Sequence, residues 1–145
     1  MTRKGGAFIV WRDELSVGDA LLDSQHQKIF DTINRLYEQM QAGISTADVL
    51  ARAAEAARYA EDHFRCEEEA MRAAGYPAFE EHLQLHTAYR QEVQSRLAGV
   101  HGARGESASE LLGYLKDWWK RHVNAADQAY SPYLKEPAHA ARTCD

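Results

Sequence analysis

Residues 19–40 read DALLDSQHQKIFDTINRLYEQM, and this stretch decides the fold. Leu22, His26, Ile29, Phe30, Ile33, Leu36, Tyr37 and Met40 recur at spacings of three and four. That period is the mark of a helix with one buried face. Gly43 is placed to stop it as a C′ glycine. One member of the stripe is out of character. His26 stands where a core leucine is expected, and a buried polar group costs free energy unless something satisfies it.

The same pattern returns three times. Ser45-Thr46 offers N-cap side chains, with Asp48 in the first turn. Val49, Ala53, Ala56, Ala60, His63, Glu67, Ala70 and Met71 then share a face, and the alanine-rich run 51–60 has high helix propensity. Gly75-Tyr76-Pro77 ends this segment, and Pro77 suits the first turn of the next. The third stripe is Phe79, His82, His86, Tyr89, Val93, Leu97 and Val100. Gly99–Gly105 reads as a loop. Ser107-x-x-Glu110 reads as a capping box for a fourth helix, whose stripe is Leu111, Leu115, Trp118, Trp119 and His122. Four helices with three short connections predict an all-α, up-down-up-down antiparallel four-helix bundle. One domain is expected over residues 1–145: an N-terminal arm over 1–18, the bundle over 19–127 and a C-terminal tail over 128–145, frayed from Pro137 onward.

Composition agrees with a single globular domain. The chain has 145 residues, 45% apolar and 27% charged, within the range that folds around one core. Seventeen basic against 22 acidic side chains give a net charge of −5, which argues against nucleic-acid binding. No apolar run reaches membrane-spanning length, and Phe8–Trp11 is too short for a signal sequence, so a cytoplasmic protein without membrane insertion is expected. No second apolar stripe is evident, so a monomer is expected. Two cysteines are too few for a disulfide scaffold. Cys66 is expected to be a buried, inert thiol, and Cys144 could crosslink two chains in air.

Every helix carries a histidine on its inward stripe. His26, His63, His82, His86 and His122, with Glu67, would form a heavily unsatisfied core if they bound nothing. His63 and Glu67 are four apart, as are His82 and His86, so each pair projects from one helix face. Asp127 is five residues beyond His122, a turn of about 500°, which leaves it roughly 140° away on an ideal helix. It joins the set only if the helix ends or carries a π-bulge near Asn124–Ala126. Five imidazoles and two carboxylates exceed what one zinc ion takes, whereas two metals bridged by two carboxylates use all seven. Imidazole with carboxylate suits iron, then manganese or zinc, and disfavours copper(I).

The ordered motifs Trp11, Val17-Gly18, Asp23-x-Gln25-His26, His63-Phe64-x-x-Glu67-Glu68, Gly75-Tyr76-Pro77, His82-x-x-x-His86, Trp118-x-x-x-His122 and Asp127-x-x-Tyr130 resemble the bacterial hemerythrins, a non-haem di-iron family. The resemblance spans roughly residues 11–133. It implies that His82, His86 and His122 hold one saturated iron, and that His26 and His63 hold a second with an open position. Glu67 and Asp127 would bridge the two irons beside an oxo or hydroxo group. It also implies reversible binding of dioxygen at the open iron, for transport, storage or supply, and no enzymatic activity beyond a slow oxidase or peroxidase side reaction. Two ferrous ions against two carboxylates and a hydroxide leave the centre only slightly cationic, and neutral imidazoles disfavour states beyond ferric.

Ile29, Phe30, Phe64, Trp118 and Trp119 are expected to line an apolar oxygen pocket that excludes water and protons. Gln25, Asp23 and Glu68 are candidates to orient ligand imidazoles. The alternatives are a sensor that signals oxygen or redox state through a partner protein, and a di-iron enzyme that detoxifies peroxide or nitric oxide. Partners would be dioxygen and an oxygen-recipient or signalling protein. His101 and His139 fall on no stripe and read as surface residues.

Overall fold

The computed structural model describes residues 7–100 and 105–135. His101, His139, Cys144 and the tail from Pro137 lie outside the described residues. Four long helices form: α1 (Ala20–Gln41), α2 (Thr46–Ala74), α3 (Phe79–Gly99) and α4 (Gly105–Arg121). After α4 come a π-helical turn (His122–Ala126), a short α5 (Asp127–Tyr130) and a 3-10 turn (Ser131–Lys135). The described residues include no strand. Helix α1 packs on α2 and α4, and α3 packs on the same two, so chain order runs around the bundle. None of these helices is long and apolar enough to cross a membrane.

The helix ends follow from local chemistry. The Asp19 carboxylate accepts from the Leu22 amide and the Ser45 hydroxyl from that of Asp48, each satisfying an orphan donor of a first turn. At the far ends, Gly43 (φ 88°) and Gly75 (φ 69°) take the left-handed conformation. Their amides donate to Met40 and Arg72, and the amides that follow, Ile44 and Tyr76, reach Gln39 and Met71. Those paired bonds are the Schellman motif, which glycine permits at no steric cost. Two boundaries differ from the expectation. Pro77 precedes α3, which opens at Phe79 behind Ala78. Helix α4 opens at Gly105, so Ser107 is its third residue and not its N-cap.

The arm lies along the seam between α1 and the C-terminal helices. Asn34 of α1 holds Ile9 at both backbone groups, at 2.8 and 2.9 Å. Phe8 stacks on Tyr37 at 4.2 Å. Further along, Gln128 donates to the Leu15 carbonyl and Ser131 to that of Val17. The C-terminal segment stays helical to Tyr130, three residues past the expected end of the bundle.

The core is divided in two. One apolar cluster contains Ile29, Ile33, Leu36, Val49, Tyr89, Val93, Leu111, Leu115 and Trp119. The other contains Val17, Leu22, Ala70, Met71, Tyr130 and Leu134. Along each helix a polar layer falls between them: His26 on α1, His63 and Glu67 on α2, His82 and His86 on α3, His122 and Asp127 after α4. Because the helices alternate in direction, this layer is early in α1 and α3 and late in α2 and α4, near one end of the bundle.

Candidate metal centre

All seven side chains of the layer are buried, none more than 5% exposed. Their arrangement begins with α2. Glu67 follows His63 by four residues, so its carboxylate stands beside the imidazole, with Oε2 3.3 Å from His63 Nε2. Helix α1 brings His26 Nε2 to the same oxygen, also at 3.3 Å. Helix α3 brings His86 and His82 to the other oxygen, Oε1, at 3.0 and 3.3 Å. Asp127 completes the set from the C-terminal segment. Its Oδ1 lies 3.0 Å from His122 and 3.2 Å from His82, and its Oδ2 lies 3.0 Å from His26.

The π-helical turn makes Asp127 part of this group. The Asp127 amide donates to the His122 carbonyl, five residues back. This wider turn absorbs one extra residue, so the fifth position returns to the face of the first. The sequence required either a helix end or such a bulge, and the chain takes the bulge.

Two ligand groups emerge. Glu67, His82, His86 and His122 offer atoms that lie within 4.8 Å of one another, and so do His26, His63, Glu67 and Asp127. Both carboxylates face both groups: each turns one oxygen toward the three-histidine side and the other toward His26. His26 Nε2 and Glu67 Oε2 make a hydrogen bond at 3.3 Å, whereas the other approaches do not. Nε2 of His63, His82, His86 and His122, Oε1 of Glu67 and both oxygens of Asp127 are buried without a hydrogen-bond partner. Orphaned lone pairs aimed at shared points are what a pair of cations requires and what an apolar core forbids.

The electrostatics point the same way. Burial pulls the His26 imidazole down, but Asp127 and Glu67 outweigh it and push its pKa up to about 9. Burial likewise opposes protonation of His82, and the same two carboxylates raise it to about 9. His122 is raised against its burial, chiefly by Asp127. His63 is held below its ordinary value by burial. Burial opposes ionisation of Glu67, yet His63, His122 and His26 hold its pKa well below the usual carboxylate range. Asp127 is also lowered, against burial and the Glu67 charge, by His122 and His26. Protons on the imidazoles thus balance the two carboxylates where no cation does, and a metal must displace them.

The surrounding side chains fix the rings. His63 Nδ1 lies 2.7 Å from Gln25 Oε1, and His86 Nδ1 lies 2.8 Å from Glu68 Oε2. With Nε2 facing the centre, each Nδ1–H donates outward. Arg90 binds Glu61 through both carboxylate oxygens and lies 3.6 Å from Glu68. Asp23 plays no such part: it accepts from the Ser16 hydroxyl and the Val17 amide, holding the arm. Cys66 is buried, and the Gln25 amide donates to its sulfur at 3.4 Å.

The five expected pocket residues occupy different places. Phe64 stacks on His86 at 3.9 Å and Trp118 on His122 at 4.1 Å. Phe30 packs edge-on against Trp11. Ile29 and Trp119 line a small cavity. Sequence reasoning missed two tyrosines as parts of the centre. The Tyr130 hydroxyl donates to Glu67 Oε2 at 2.7 Å, and Tyr89 accepts from the Trp119 indole at 2.9 Å. The spacing Asp127-x-x-Tyr130 was the available signal for the first, since residues three apart share a helix face.

The family profile described as Hemerythrin HHE cation binding domain matches residues 17–134. Bacteriohemerythrin of Stenotrophomonas maltophilia (strain R551-3) is 33% identical over 130 residues, covering 89% of this chain and 83% of that protein. Myohemerythrin of Riftia pachyptila is 26% identical over 125 residues, covering 86% of this chain and 92% of its own. A solved wild-type hemerythrin, 23% identical, superposes with a TM-score of 0.77 over 90% of this chain and 100% of that chain, a likeness of fold.

Proposed function

Since the chain belongs to the hemerythrin family, we propose that it binds dioxygen reversibly at a two-iron centre, as a carrier, store or local supplier. His82, His86 and His122 would hold one iron, His26 and His63 the other, and Glu67 and Asp127 would bridge them. One observation carries this reading: each of the two carboxylates faces both histidine groups with separate oxygens. A single-metal site has no use for that division. When bound, the irons supply the electrons that hold dioxygen.

The protein's own part is positional and protective. Gln25 and Glu68 hold His63 and His86 in the tautomer that turns Nε2 inward. Tyr130 donates to Glu67 and fixes that carboxylate between the two groups. The groups differ, three imidazoles against two, so an iron held by His26 and His63 would have one protein ligand fewer and could take a small guest. Phe64, Trp118 and Trp119 cover the histidines and keep bulk water away from charge developing at the centre.

The test is a visible spectrum of the iron-loaded protein in air, after anaerobic reduction and after readmission of oxygen. Charge-transfer bands that vanish on reduction and return unchanged with oxygen are expected. Bands that return only as the ferric form, without bound dioxygen, refute reversible binding and favour a redox sensor or an enzyme.

A further inference from the structure

One cation at the surface touches both neighbours of a buried histidine. Arg90 follows His86 by four residues on α3, so the two share a face. Its Nε donates to both carboxylate oxygens of Glu61 on α2, at 2.8 and 2.7 Å. Its Nη2 lies 3.6 Å from Glu68 Oε2, the same oxygen that accepts from His86 Nδ1 at 2.8 Å. The guanidinium carbon also sits 5.4 Å from the centre of the Phe64 ring, and that ring stacks on His86 at 3.9 Å. Two lines of contact therefore run from Arg90 to one imidazole, through Glu68 and through Phe64.

A partly exposed ion pair contributes little to stability, so the pairing with Glu61 matters for where it holds the guanidinium. A carboxylate that accepts from the outer N–H of a ligand imidazole makes the ring more basic. A more basic ring favours the more highly charged state of a cation on its other nitrogen. A permanent cation beside that carboxylate draws its charge away from the imidazole. Glu68 and Arg90 therefore act in opposition. Glu68 turns His86 Nε2 inward, and Arg90 limits how far the ring gains anionic character. Among the described residues, Arg90 is the one lysine or arginine within ion-pair distance of Glu68.

We propose that Arg90 is a positioning residue for the three-histidine group, one that moderates the pull of Glu68 on His86 and so favours ferrous over ferric iron. The proposal rests on the two-iron reading of the centre. Reversible binding of dioxygen starts from the ferrous state, so this surface cation helps to keep the centre in its working form. Glu61 anchors the guanidinium from α2, which fixes the opposition in place.

An anaerobic redox titration of the iron-loaded protein, followed by its visible bands, tests this. It reads the ferric-to-ferrous ratio at a fixed ambient potential. Removing a direct imidazole partner costs about 10–100-fold, and Arg90 stands one contact further out, so Arg90→Gln is expected to shift the ratio about three- to tenfold toward ferric. Arg90→Lys keeps the charge and is expected to stay near the wild-type ratio. In a Glu68→Gln background, where the acceptor is neutral, Arg90→Gln is expected to add no further shift. Arg96→Gln is the control. It removes the same charge about 9 Å further along α3, where the partners are Glu92 and Tyr114, and is expected to leave the ratio unchanged. The proposal is overturned by an unchanged ratio in Arg90→Gln, or by an equal shift in Arg90→Lys, in Arg96→Gln or in the Glu68→Gln background. A protein that takes up no iron overturns this proposal and the two-iron reading together. One that shows the shift but does not bind oxygen reversibly refutes the oxygen-binding reading alone.

Discussion

Tyr130→Phe isolates one hydrogen bond without changing the packed volume. The Tyr130 hydroxyl donates to Glu67 Oε2 at 2.7 Å, and both residues are fully buried. A hydrogen bond to a charged group contributes about 1.5–3 kcal/mol, and most of the loss on deletion is the cost of an ion left short of a donor. Glu67 Oε2 keeps His26 at 3.3 Å, so the lower part of that range applies. The metal-free variant should lose about 1.5–2 kcal/mol of stability, or about 3–8 °C in Tm for a domain of this size. Burial holds the Tyr130 pKa well above its ordinary value of 10.0, so its hydroxyl remains a donor from neutral pH to pH 10. Urea unfolding of both proteins, stripped with chelator and followed by circular dichroism, measures it. A difference below about 0.5 kcal/mol would show that Glu67 does not depend on this donor.

Other outcomes follow from the same geometry. In the metal-free protein, His26 and His82 are pushed up to about 9 in the folded state from an ordinary value of 6.5. Their stabilisation is therefore fully present below pH 6.5 and lost as pH rises through 9, while that of Glu67 and Asp127 is lost only as pH falls below the ordinary carboxylate range. Denaturant midpoints across this interval should decline on the alkaline side, and a flat alkaline limb would refute the assigned charge pairing. The loaded protein should instead shed metal on acidification, because imidazole must be neutral to ligate; iron retained far below pH 4 would exclude the histidines as ligands. Glu68→Ala removes the acceptor of His86 Nδ1 and should weaken metal retention about 10–100-fold in a chelator competition. Glu69→Ala serves as the control and should leave retention unchanged. His63→Ala should lower iron stoichiometry or abolish oxygen binding while far-ultraviolet circular dichroism stays helical, and full oxygen binding would refute its place in the centre.

The division of the core explains why such a site is tolerated. A polar layer in the middle of a core would be a fault line, but here apolar clusters close on it from both ends. The arm and the C-terminal segment reinforce the nearer end, where Gln128 and Ser131 hold the backbone of Leu15 and Val17. Asp23, a candidate for the metal surroundings by its position, is used there instead.

What the sequence by itself determined was whatever depends on residues a few positions apart. Helix stripes, the Ser45 cap, the glycine stops at 43 and 75, and the pairing of His63 with Glu67 and of His82 with His86 all follow from residues close together in one helix. So does the demand for an irregularity after His122, since five residues do not close a turn. The tertiary structure decided the rest. Which oxygen of Glu67 meets which histidine, that Gln25 and Glu68 orient rings while Asp23 does not, that Tyr130 reaches Glu67, and that Phe64 and Trp118 stack on imidazoles all depend on how far one helix slides along another. That slide is set by side-chain packing summed over the whole bundle, a balance of many small contacts between residues distant in the chain, and no local pattern records it.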